Sequence, residues 1–130
     1  MSAVSRAIVL VDHGSRRPEA NAQLEALAER VRAREPGTLV LTAHLEVAQP
    51  DIGDALARCA AAGADDVVLL PWFLAPGRHT AEDIPRAVAA ATLLYPSLRV
   101  RIGEPIGLDA KLFDLAMARI AGARDASGSR

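Results

Sequence analysis

The hydrophobic period of this chain switches between strand-like and helix-like four times over, and few folds accommodate that. An unbroken apolar run at residues 7–11 is followed by Leu24, Leu27, Ala28 and Val31, spaced as one face of a helix. A second run, 38–43, precedes Ile52, Ala55, Leu56 and Cys59 at helical spacing. The third, 67–70, is the most apolar, which predicts a central strand, and it leads to Ile84, Ala87, Val88 and Ala91. Residues 98–102 alternate apolar side chains with arginine, as an edge strand with one wet face does. Leu112, Leu115, Ala116 and Ile120 then predict the buried face of a last helix.

The punctuation agrees with this reading. Pro18 suits a first helical turn, Pro36-Gly37 ends that helix, and Pro50 opens the second, which Gly63 caps. Residues 80–83, Thr-Ala-Glu-Asp, resemble a capping box opening the third helix, and Pro96 follows its end. The order βαβαβαβα predicts an α/β fold: an open parallel four-stranded sheet with helices on both faces and right-handed crossovers. One domain is expected over 1–124, with a polar, frayed tail at 125–130.

Composition narrows the function. With 15 Lys+Arg against 16 Asp+Glu and a net charge of -1, there is no electrostatic footprint for nucleic acid or an anionic membrane. Cys59 is the only cysteine, so no intrachain disulfide and no cysteine-based zinc or iron–sulfur site is available. No run is long enough to span a bilayer and none has signal-peptide character, so a cytoplasmic protein is expected.

Open parallel sheets bind ligands just beyond the carboxyl ends of their strands. His13 follows the first apolar run and precedes Gly14 and Ser15; the neighbouring Asp12 could orient the imidazole or cap the next helix. His79 follows the third run, in Pro76-Gly77-Arg78-His79-Thr80, immediately before a predicted helix. A helix N-terminus disfavours imidazolium, leaving a neutral ring that can act as a base or bind a metal. The loop after the second run carries His44 and Glu46, two residues apart and on one face while the chain stays extended. Each also has a plain reading, as a packed histidine and a solvated carboxylate.

Two imidazoles and a carboxylate from three strand ends suit Co, Fe, Ni or Zn better than Mg or Ca. Arg16, Arg17 and Arg78 flank the same edge and could clamp carboxylates, or be surface charges. Gly14, Ser15 and Gly77 are the backbone positions where a ligand could approach closely. Trp72 and Phe73 could line an apolar pocket or simply pack.

The ordered motifs carry a resemblance. Asp12-His13-Gly14-Ser15-Arg16 with Asn21, then Ala43-His44-Leu45-Glu46 leading to Pro50-Asp51-Ile52, then residues 70–79 with Glu82-Asp83-Ile84-Pro85, resemble the CbiX/SirB family of sirohydrochlorin chelatases. That resemblance implies a chelatase-like, flavodoxin-like fold and insertion of Co²⁺ or Fe²⁺, with Ni²⁺ a further candidate, into a sirohydrochlorin-type tetrapyrrole. It implies a metal site of His13, His79 and Glu46, no organic cofactor, and a homodimer that builds the cleft which longer members form from two domains. His44 stands where an apolar residue is expected in many relatives. Two other classes remain open: a carrier that binds metal or tetrapyrrole without turnover, and a histidine-phosphatase-like enzyme. For the latter, Asp12 stands where a phosphate-binding arginine would be needed.

Overall fold

The computed structural model describes residues 5–75 and 77–126, and of residues 78–80 the backbone alone. Along the chain run β1 (Arg6–Asp12), α1 (Pro18–Arg34), β2 (Leu39–His44), α2 (Ile52–Ala61), β3 (Asp66–Pro71), α3 (Arg78–Leu94), β4 (Arg99–Ile102) and α4 (Ala110–Asp125). The strands form one parallel sheet in the order β2-β1-β3-β4, so the third and most apolar run is central, as its composition predicts, with β1 beside it. At the edge, the Arg101 guanidinium reaches across to Asp66 at 2.6 Å and holds that carboxyl below the usual carboxylate range.

Strand side chains alternate between two cores. Val9, Val11, Leu41, Ala43, Val67 and Leu69 face Ile52, Leu56 and Cys59 of α2 and Ile84 and Val88 of α3. On the opposite face Leu10 and Val40 lie under Leu24 and Ala28 of α1. Helices therefore cover both faces, as βαβ crossovers require.

Three local expectations change. Helix α2 starts at Ile52, not at Pro50. Asp51 is its N-cap, in a reciprocal capping box: its carboxylate accepts from the Asp54 N–H at 2.8 Å, and Asp54 accepts from the Asp51 N–H at 3.1 Å. Helix α3 starts at Arg78 on an extended Gly77, so residues 80–83 lie inside its first turns and do not open it. The third change is in α4. It forms where its period predicts, but none of its residues is buried; Leu115 and Ile120 are 45% and 43% exposed. The connector before it is tied to the strand ends instead, with Ile106 N–H donating to the Phe73 carbonyl at 3.1 Å. Of the expected tail, Asp125 ends α4, and 127–130 lie outside the described residues. No helix among the described residues is long and apolar enough to cross a membrane.

Candidate active site at the strand ends

The site begins with strand register. Asp12 at the end of β1 lies opposite His44 at the end of β2, and Val11 lies opposite Pro71 at the end of β3. Three loops therefore leave the sheet side by side. Backbone bonds tie the first loop to the other two: Leu45 N–H to the Asp12 carbonyl at 2.9 Å, Glu46 N–H to the His13 carbonyl at 3.0 Å, and Trp72 N–H to the Val11 carbonyl at 2.6 Å. His13 and Glu46, 33 positions apart in the chain, are thus joined through their main chains.

Gly14 makes this approach possible. Its φ is +91°, and a Cβ there would sit 2.0 Å from the Glu46 carbonyl oxygen. No other residue fits both the backbone and the space. On the other side of Glu46, Val47 has φ 57°, a conformation that strains a β-branched side chain. Glu46 is thus presented by a loop with little freedom. The His13 loop is fixed too: the Asn21 side chain accepts from Ser15 N–H at 2.9 Å and donates to the Ser15 carbonyl at 2.8 Å. The Ser15 hydroxyl accepts from Arg17 N–H at 3.0 Å.

The His13 and Glu46 side chains are exposed at this edge, and the His13 ring leans on Phe73 with centroids 4.6 Å apart. Asp12 does not orient His13. Its carboxylate meets His44 Nδ1 at 2.5 Å. His44, 4% exposed, is the one buried polar side chain among the described residues, and the His44 backbone N–H donates to the Pro50 carbonyl at 2.8 Å. His44 and Glu46 therefore do not share a face: β2 ends at His44, and the chain bends so that one side chain is buried and the other is not.

His79 and Arg78 open α3 at the same end of the sheet, with their side chains outside the described residues; Gly77 is the exposed N-cap. Arg16 is exposed, and Arg17 forms a surface pair with Glu19 at 3.4 Å. Among the described residues no three His, Cys, Asp or Glu side chains gather closely enough to hold a metal ion. A cavity of about 640 Å³ lies between α2 and α3 and meets this edge at His44, Leu45 and the first turn of α2 from Asp51 to Asp54; His13 and Glu46 do not line it. Sequence patterning missed the Asp12–His44 pair, because strand register brings those residues together and no local motif announces it.

The CbiX family model matches residues 7–123. The chloroplastic sirohydrochlorin ferrochelatase of Arabidopsis thaliana is 40% identical over 113 residues, covering 87% of this chain and 50% of that protein. Among solved structures, the sirohydrochlorin chelatase SirB of Bacillus subtilis subspecies spizizenii in complex with cobalt superposes with a TM-score of 0.83 at 30% identity, over 91% of this chain and 50% of that one. A putative cobalamin biosynthesis CbiX protein from Marinobacter aquaeolei superposes with a TM-score of 0.75 at 27% identity, over 92% of this chain and 96% of that one. The chain spans about half the length, or less, of the first curated relatives it matches.

Proposed function

From the premise that the chain belongs to the CbiX family, we propose that it is a sirohydrochlorin chelatase, inserting Co²⁺ or Fe²⁺ into the macrocycle. One observation carries this reading. The ends of β1, β2 and β3 bring His13, Glu46 and the first turn of α3, which contains His79, to one edge of the sheet. The relatives' names include both metals: iron for the plant enzyme and cobalt for the SirB complex.

The chemistry fits these residue types. A divalent ion replaces two pyrrole N–H protons, so each turnover releases two protons at the ring. His13, exposed at the strand ends, is a suitable acceptor near neutral pH. Glu46, tied to it through the main chain, offers a carboxylate for the ion or for the second proton. His79 completes a donor set of two imidazoles and one carboxylate, which suits first-row metals while leaving coordination positions for the incoming ring. Protons compete with the ion for the same imidazoles. Arg16 and Arg78 would meet the peripheral carboxylates of the substrate, Arg17 from its partly committed position, with Gly14, Ser15 and Gly77 allowing close approach.

A second copy would supply the other wall of the cleft. Two features support this: the first curated relatives it matches are about twice as long or longer, whereas a sirohydrochlorin cobaltochelatase of Methanopyrus kandleri is matched over 94% of its length, and His13 and Glu46 lie on an open edge. The test is incubation of the protein with sirohydrochlorin and Co²⁺, Fe²⁺ or Ni²⁺, followed by absorption. Conversion to the metallated spectrum with turnover supports the proposal. A stoichiometric spectral change without turnover would make the protein a carrier.

A further inference from the structure

A histidine that binds a metal ordinarily gives its other ring N–H to a carboxylate, a carbonyl or a water, and that bond fixes the ring. His13 has no such partner in the chain. Asp12, the adjacent carboxylate, is committed to His44, and none of the described residues hydrogen-bonds the His13 ring. What touches the ring is Phe73, with centroids 4.6 Å apart and planes tilted by 36°. Aromatic rings attract at that separation. Phe73 is itself firmly held. The Trp72 N–H before it donates to the Val11 carbonyl at 2.6 Å, and the Phe73 carbonyl accepts from Ile106 N–H at 3.1 Å. Its half-buried side chain packs on the core beneath α2 and α3. It also lines a small apolar cavity of about 160 Å³ with Ala81, Ile84 and Pro85 of α3, a cavity that His13 does not line. Phe73 thus reaches from the His13 loop to the opening turns of α3, whose Ala81 lies two positions after His79.

Resting on the chelatase reading above, we propose that Phe73 is a positioning residue for metalation. Its ring holds the His13 imidazole for the ion and sets His13 against the turn that carries His79. The device suits an ion in transit. A carboxylate partner raises the basicity of an imidazole and with it the hold on the metal. An aromatic ring fixes the imidazole by contact alone, adds no charge and leaves both ring nitrogens open. The ion is then gripped by a donor that is aimed but not strengthened, which favours its release to the macrocycle.

Full-length Phe73→Leu, Phe73→Met and Phe73→Tyr test this, with circular dichroism as the check of folding. Leu and Met keep an apolar side chain over the core, and Tyr keeps the ring. Calorimetric titration with Co²⁺ alone should show the Leu and Met variants binding about 10-fold more weakly than wild type. Their kcat for sirohydrochlorin metalation should fall by a similar factor, with KM for sirohydrochlorin unchanged. Phe73→Tyr should stay within about twofold of wild type in both. In a His13→Ala background no ring is left to hold, so adding Phe73→Leu should change Co²⁺ affinity by less than about twofold. In wild type, nuclear magnetic resonance should show the His13 ring protons shifted upfield by the aromatic face, assigned by their loss in His13→Ala. An equal loss of affinity with and without His13, wild-type affinity in the folded Leu and Met variants, or His13 ring protons without that shift would overturn the proposal. The two readings separate. Co²⁺ binding that depends on Phe73 in a protein that never metallates sirohydrochlorin would sink the chelatase reading and leave the role of Phe73 standing. Turnover indifferent to Phe73 would do the reverse.

Discussion

At the residue scale, the site depends on a contact no larger than one hydrogen atom. Gly14 meets the Glu46 carbonyl where a Cβ would be 2.0 Å away, and at φ +91°. Gly14→Ala must therefore push the two loops apart and adopt a strained backbone. We expect a loss of about 2 kcal/mol or more in denaturant melts, with metalation reduced at least as much as by loss of Glu46. His44 is a second such point. His44→Ala leaves the Asp12 carboxylate without its partner inside the sheet edge, and should cost about 1–3 kcal/mol while leaving His13 in place. The buried Cys59 thiol, pushed up to about 11 from 9.0, gives a pH prediction. The folded protein keeps the proton longer than the unfolded chain. Its stabilising contribution is therefore complete below pH 9 and lost between pH 9 and about 11, and Cys59→Ala should flatten that part of the profile of Tm against pH.

At the element scale, existence and type of every strand and helix were legible, because apolar spacing reports which face is buried. Starts were less so. Pro50 and the 80–83 motif carry the composition of helix openings, yet Asp51 and Gly77 are the caps, since capping depends on backbone angles that composition does not encode. Asp51→Ala should cost about 1 kcal/mol in thermal unfolding by removing the capping box of α2, whose Ile52 and Leu56 anchor the core. The apolar face of α4 was legible as well, but not that its own sheet leaves it uncovered. A periodic pattern shows that a face is apolar, not which surface lies against it.

At the scale of the whole molecule, the order of the elements brought the candidate residues to one place: βαβ crossovers put the loops after β1, β2 and β3 on one edge, and His13, Glu46 and His79 with them. What the sequence could not supply was register, and register is what sets Asp12 on His44 and joins His13 to Glu46. The central claim is that this edge metallates a tetrapyrrole. Its most direct test is the initial rate of Co²⁺ insertion into sirohydrochlorin by wild type, His13→Ala and His79→Ala, all at one pH and protein concentration. The account predicts rapid turnover by wild type and a drop of about 100-fold or more in each variant, the scale of a lost general base. Variants that metallate the ring at the wild-type rate would contradict it.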